Sequence, residues 1–271
     1  ASRLNLILFF SALFFSFYCL YPLLEGSGAI FTALILFLAW LTFREGWNEI
    51  LGFLLLFGTI HLQQGGMLFF FLIFLLLHQR RWRVFSIFGM TFIAVIGASL
   101  FFLSDWLIPF AAALRNNARI EQGFLWRETL QTIFPERGML IAQILRILAI
   151  IVLFLEWRTA RGKEAHHLLW FASLSLSITP FLGIPLTSAL FPFLFLPLAL
   201  IFHIAQDRWR RASWIISLIL FAFPALWLVP LRDPESLDLL FFAFPFFLTL
   251  ALFWLRWWFF RPPRTWADRL Q

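Results

Sequence analysis

The polar residues between two short apolar runs are the first place where this sequence offers chemistry. The runs Ile50–Ile60 and Met67–Leu77 frame a segment that carries His61, Gln63, Gln64 and two glycines. Each run is shorter than the ~20 residues that a helix needs to cross a bilayer. A polar break at membrane depth is tolerated only where protein or a water-filled cavity satisfies the freed backbone groups, so the break predicts a site. His61 can act as a general base or phosphate donor, or it can cap a broken helix.

Arginines concentrate in the only long polar stretch of the chain, residues 105–138. They are Arg115, Arg119, Arg127 and Arg137. The planar guanidinium fork suits phosphate, so this stretch predicts a site for a lipid phosphate or an anionic lipid headgroup. The alternative is that the nearby glutamates simply pair with these arginines.

One further arginine, Arg146, lies about two turns inside the apolar run Met139–Leu155. A charge at that depth should face protein or a cavity, which makes it a functional candidate by default. The alternative is that it extends outward with Gln143 to reach water. The predicted substrate-binding residues are therefore His61, Gln63, Arg115, Arg119 and Arg146.

The catalytic residue stays unknown at this stage, with three single candidates. They are His61, Glu25 in a turn of its own, and Asp105 at the start of the polar stretch. None of them has a paired carboxylate nearby in the sequence. The chain has no nucleophile elbow, P-loop or dinucleotide fingerprint, and its histidines are not spaced with other donors as metal ligands are. We predict neither a metal nor a cofactor.

The composition of the chain indicates that membrane-spanning helices position these residues. Hydrophobic residues make up 62% of the 271 and charged residues 13%, against roughly 25% charged in an average soluble domain, so lipid must cover most of the surface. We predict an all-α, polytopic integral membrane protein with nine to ten membrane-entering segments. Residues 1–271 form a single transmembrane domain with an extracytoplasmic loop at 105–138. The count is ten if the runs around His61 make two passes, and nine if Ile50–Leu77 is one helix.

Most of the 21 basic residues fall in short loops on one face if the runs make two passes. The positive-inside rule assigns that face to the cytoplasm. We therefore expect a bacterial cytoplasmic (inner) membrane protein with both termini cytoplasmic. Because the basic residues sit in short loops between apolar segments, where the positive-inside rule accounts for them, we predict no nucleic-acid partner.

Several motifs follow one another in a fixed order along the chain. They are the turn Tyr21–Ser27, the helix end His61-Leu62-Gln63, the Arg80-Arg81-Trp82-Arg83 cluster, Asp105-Trp106, the Thr179-Pro180 hairpin, and the span with Pro192 and Pro197. Their order resembles the later part of glycosyltransferase family 87. The family comprises membrane mannosyltransferase-like proteins of the GT-C fold that take a sugar from a polyprenyl phosphate on the outer face. The resemblance implies a GT-C-like fold, hexosyltransferase activity and a mannose-type polyprenyl-phosphate sugar donor.

Three departures from the family pattern affect the expected activity. Glu25-Gly26 stands where the family commonly has Gly-Gln, and His61-Leu62-Gln63 stands where it has Lys-Pro-Gln. The family's catalytic carboxylate lies in a large outer loop after the first helix, whereas the first turn here is only Glu25–Gly28. We expect that an N-terminal portion is absent from this sequence or that the protein is a non-catalytic relative, inactive as this chain alone. The alternative is a non-catalytic structural or lipid-binding subunit of a larger membrane assembly, with lipids and membrane proteins as partners.

Overall fold

The computed structural model describes residues 3–117, 126–208, 222–232 and 237–260, which form helices without strands. The α-helices are α1 Arg3–Phe14, α2 Phe17–Leu24, α3 Ala29–Glu45, α4 Asn48–Gly58, α5 Leu62–His78, α6 Trp82–Phe102, α7 Leu107–Asn117, α8 Trp126–Ile133, α9 Gly138–Ala160, α10 Ala165–Ile178, α11 Phe195–Arg208, α12 Leu228–Arg232 and α13 Leu237–Phe260. Two 3-10 helices, Thr179–Leu182 and Ser188–Leu194, lie between α10 and α11. The prediction of an all-α protein is confirmed.

Five helical stretches are long and apolar enough to cross a membrane. They are Leu6–Leu24, Trp82–Phe102, Gly138–Ala160, Ser188–Gln206 and Leu240–Phe260. Protein covers only 6% of the apolar window in α6 and 22% of that in α9. Apolar helices left so bare need lipid around them, which agrees with a helical membrane protein. The count of nine to ten segments stays a prediction, and residues 214–221 of one expected segment lie outside the described residues.

The first apolar segment is interrupted, although its sequence suggests an unbroken run. Helix α1 ends at Phe14 and α2 begins at Phe17. Between them Ser16 adopts an extended backbone, and its hydroxyl donates to the carbonyl of Leu13 at 2.6 Å. A serine hydroxyl that bonds nearby backbone offers the chain an alternative to continuing the helix.

The chain reverses direction between α4 and α5. A Cβ placed on Gly58 in α4 or on Gly65 in α5 would lie 2.6 Å from a methyl carbon of Leu36, so both glycines press against the same residue of α3. The end of α5 instead lies beside the end of α3, where the guanidinium of Arg81 donates to the carbonyl of Phe43 at 3.1 Å. Helix α5 therefore runs antiparallel to α4 and parallel to α3, so α4 and α5 are two separate helices at this point.

This reversal defines two ends of the helical bundle. The His61 end comprises the Glu25–Gly28 turn, the break at His61 and the segment 183–187. The Arg81 end comprises the loops 79–81 and 161–164. Helix α9 runs parallel to α5, because Met67 packs beside Ala149 while Phe74, two turns later, lies 5.6 Å from the Trp157 ring. Helix α9 therefore starts at the His61 end.

Helix α6 is attached to the bundle mainly through α4. A Cβ on Gly52 would lie 2.8 Å from the carbonyl oxygen of Val84 and 3.0 Å from the Cβ of Ile87, so only glycine permits this approach. One turn earlier, Arg83 forms an ion pair with Glu49. Most of the remaining surface of α6 is exposed.

Helix α10 lies at the centre of the bundle and buries several hydroxyls. The Ser175 hydroxyl donates to the carbonyl of Phe171 within α10 and accepts from the indole of Trp157 at 2.8 Å. The carbonyl of Ser177 accepts a hydrogen bond from Thr249 of α13. The hydrogen bonds of Ser175 and Thr249 satisfy these buried polar groups and join α9, α10 and α13.

Arginines at the Arg81 end find partners in the protein. Arg256 lies 3.1 Å from a carboxylate oxygen of Glu156, and its guanidinium also covers the ring of Trp170 at 5.5 Å. Arg81 covers the ring of Phe43 at 4.9 Å in addition to its hydrogen bond. These cations are held in place by ordinary ion pairs and cation–π contacts.

Candidate functional site

The Glu25 turn meets the segment after the 3-10 hairpin at the His61 end. Glu25 follows α2 directly, and its carboxylate accepts a hydrogen bond from the hydroxyl of Ser188. Ser188 is buried, whereas Glu25 remains exposed. The carboxylate therefore ties together two segments that lie 163 positions apart in the chain.

His61 occupies the N-cap position of α5, but its side chain makes no cap hydrogen bond. The ring lies beside the Glu25 turn, with Nε2 3.6 Å from the place that a Cβ on Gly28 would take. Burial lowers the pKa of the His61 imidazole below its ordinary value of 6.5, so the ring is neutral at pH 7. No carboxylate bonds to the ring among the described residues, so His61 lacks the partner that orients a general base.

Gln64, rather than Gln63, joins the break to the rest of the site. Gln63 is exposed, while Gln64 is 6% exposed and its amide nitrogen donates to the Thr187 hydroxyl at 3.2 Å. Helical periodicity carries a signal for this assignment: Gln64 lies four residues before buried Leu68, on the inner face of α5. Sequence reasoning singled out Gln63 for the site and left out both Gln64 and Thr187.

Arg146 borders a cavity of about 270 Å³ near the start of α9. The cavity is lined by Trp126, Arg127, Met139, Ala142, Gln143, Arg146 and Gly183. The Cζ of Arg146 lies 3.3 Å from the place that a Cβ on Gly183 would take, and Gly183 has a left-handed φ of 87°. Glycine at this position thus permits both the turn and the close approach of the guanidinium.

The Arg146 guanidinium has no hydrogen bond or ion pair within the part of the chain that the structure describes. It lies eight residues into α9, about 12 Å along the helix axis. Arginine at such a depth is costly unless a partner or a water-filled cavity compensates its charge. The side chain is exposed to the cavity, so an anion can reach it.

Arg146 and Gln64 lie at the same level of the bundle. Gln64 precedes Met67 by about one helical turn, and Arg146 precedes Ala149 by about one turn. Met67 and Ala149 pack in one cluster. The segment from Gly183 to Thr187 runs between the two sites, because its first residue contacts Arg146 and its last bonds Gln64.

Helix α8 closes one side of the Arg146 cavity. Its first residue, Trp126, is 5% exposed and meets the ring of Phe181 edge-on at 5.0 Å. A Cβ on Gly138 would lie 2.6 Å from the Cα of Gln131, so α8 rests directly on the first turn of α9. The glycine at the start of α9 allows this contact.

The remaining predicted residues are not joined to this site by any described contact. Asp105 is exposed in the turn between α6 and α7. Arg115 lies in α7, but its side chain is outside the described part, and Arg119 lies outside the described residues altogether. No group of three or more histidine, cysteine, aspartate or glutamate side chains is placed to hold a metal ion in residues 3–117, 126–208, 222–232 and 237–260.

No protein-family model, curated protein or solved structure matches this chain. The chemistry of the site therefore follows from its geometry alone. An unpaired guanidinium beside a cavity can bind an anion, while a neutral imidazole and an exposed amide at the same end can bond hydroxyl groups.

Replacing Ser188 by alanine should destabilise the protein, because it removes a donor to Glu25 and separates the two tied segments. We expect a loss of about 0.5–1.5 kcal/mol, since the exposed carboxylate can recover water. The measurement is thermal unfolding of the purified protein in detergent. Ser99→Ala is the matched control, because the Ser99 hydroxyl bonds only carbonyls of its own helix, α6. Equal midpoints for the two variants would contradict the role of this contact.

Proposed function

We propose that this chain is a membrane protein that binds a polyprenyl-phosphate sugar at its His61 end. The observation that carries the proposal is the unpaired guanidinium of Arg146 beside a cavity, at the level where the polar turns meet. A guanidinium fork binds phosphate through two parallel hydrogen bonds. The resemblance of several motifs to glycosyltransferase family 87 supports a mannose-type donor and a GT-C-like fold.

In this proposal His61 and Gln63 contact the sugar. Neither side chain has a hydrogen-bond partner within the described residues, and each can bond a hydroxyl group. Arg115 and Arg119 are proposed to contribute to phosphate binding from the α7 segment. Glu25 already accepts a hydrogen bond from Ser188 that ties two segments together, which suits a structural carboxylate better than a catalytic base.

The Arg81 end is proposed to face the cytoplasm of a bacterium, with the His61 end outside, because loops at the Arg81 end carry the larger share of basic residues. The expected result is that a cysteine at Asn117, in a Cys19-free background, reacts with a membrane-impermeant thiol reagent only from outside. A cysteine at Lys163 is the matched control and should react only from the cytoplasmic side. The opposite labelling pattern would invert the proposed orientation.

The second candidate function is a non-catalytic lipid-binding or structural subunit of a larger membrane assembly. The exposed apolar circumference of α6 favours it, because a partner helix can pack there as well as lipid. The absence of a carboxylate on the His61 ring, within the described residues, also favours a non-catalytic role.

Replacing Arg146 by glutamine should weaken retention of a polyprenyl phosphate by about tenfold or more, because a hydrogen bond to a charged group contributes about 1.5–3 kcal/mol. The measurement is native mass spectrometry of the purified protein titrated with undecaprenyl phosphate. Arg137→Gln is the matched control, since Arg137 is exposed one residue before α9 and does not line the cavity. Unchanged binding in a folded Arg146 variant would count against the proposal.

The chain alone is expected not to transfer the sugar, because a hydroxyl acceptor needs an oriented base and His61 has none beside it. The assay incubates the purified chain with polyprenyl-phosphate mannose and mixed glycan or lipid acceptors. It then measures acceptor-dependent release of polyprenyl phosphate. Turnover abolished by His61→Ala would overturn this expectation and make His61 the catalyst, whereas turnover that survives the change would direct attention to Glu25 or Asp105.

A further inference from the structure

An apolar groove of about 220 Å³ runs between α9 and α13. Its walls include Leu145, Leu148 and Val152 from α9, and Phe246, Leu250 and Phe253 from α13. The polar side chain in its lining is Thr249, whose hydroxyl is directed to the carbonyls of Ser177 and Pro245. The groove therefore presents hydrocarbon and offers no unsatisfied polar group to a ligand.

The groove adjoins the Arg146 cavity along the same helix. Gln143 and Arg146 line the cavity, while Leu145 and Leu148 line the groove. Phe181 forms the boundary, because it lines the groove and its ring contacts Trp126 of the cavity wall. A cationic compartment thus stands directly beside an apolar one.

The rim of the groove is exposed along the sides of two long apolar helices. Leu148 and Leu250, one on each wall, are 49% and 51% exposed. Both belong to helices that are long and apolar enough to cross the membrane. A hydrocarbon chain can therefore enter from the bilayer without leaving an apolar environment.

We infer that the groove holds the hydrocarbon chain of a lipid phosphate whose headgroup binds Arg146, so that the ligand enters laterally between α9 and α13. This inference rests on the proposed function and adds the position of the chain. The volume of about 220 Å³ lies below the ~300–1,000 Å³ of pockets for whole drug-sized ligands. The groove therefore suits a segment of one chain, which selects a single-chain lipid phosphate over a two-chain phospholipid.

The test fills the groove without touching Arg146. Val152→Trp places a large ring in the groove, and Ile151→Trp is the matched control, since Ile151 is 48% exposed on α9 and does not line the groove. Leu250→Trp and its control Phe247→Trp repeat the comparison on α13. The probes are undecaprenyl phosphate, isopentenyl phosphate, inorganic phosphate and phosphatidylglycerol, each titrated into the purified protein and followed by native mass spectrometry.

We expect either groove variant to weaken undecaprenyl phosphate binding measurably, because the added ring occupies the space of the chain and removes its packing contacts with the groove walls. Binding of the short isopentenyl phosphate should stay unchanged, and the control variants should bind like the parent. The inference would be overturned if phosphatidylglycerol bound as tightly as undecaprenyl phosphate, or if inorganic phosphate did. Groove variants without effect in a protein whose binding still needs Arg146 would overturn it and leave the proposed function standing. If Arg146→Gln left undecaprenyl phosphate binding unchanged, the proposed function itself would be contradicted.

Discussion

Backbone groups that lose their helical partners inside a membrane have no water to bond, and this constraint accounts for where the chain breaks. The reversal between α4 and α5 does not lie free in hydrocarbon. The Thr59 hydroxyl bonds the Leu56 carbonyl, and the amide of Gly65 bonds the carbonyl of His61 across the turn. The Gln64 side chain then bonds the hairpin that follows α10. The non-helical backbone of the α4–α5 reversal thus lies against the non-helical segment that follows α10. This arrangement brings their polar groups together at the His61 end.

The same constraint separates two kinds of arginine. Arg256 and Arg83 pair with glutamates at the Arg81 end, where water and headgroups also compensate charge. Arg146 also lies on a long apolar helix, α9, as Arg256 does on α13 and Arg83 on α6. Its guanidinium, however, faces a cavity and the turn at Gly183 instead of a carboxylate. A protein that retains an uncompensated cation at this depth needs an anion to occupy the cavity, or must keep water there.

Sequence patterns predicted an all-helical protein, and this prediction succeeds because hydrophobic run length is a local property of the chain. The polar break at His61 was visible in the same way, while the number of membrane-entering segments stays a prediction. The contact between Glu25 and Ser188 was not predictable, since it joins residues from segments whose relative rotation depends on packing. The choice between Gln63 and Gln64 depended on helix phase, which the Phe-rich runs obscure because most of their positions are apolar. The interruption at Ser16 was missed because a single serine in an apolar run carries only a weak local preference.

The bare surface of α6 has a consequence for how the molecule assembles. Its stability as a helix comes from the bilayer, because few of its side chains are covered by protein. It can therefore insert as an independent unit before α3, α4 and α5 have packed, and the close approach at Gly52 then docks a finished helix onto a finished hairpin. The close approach at Gly52 thus acts on a helix whose apolar surface alone suffices for insertion, and it selects the neighbour of α6 rather than its membrane location.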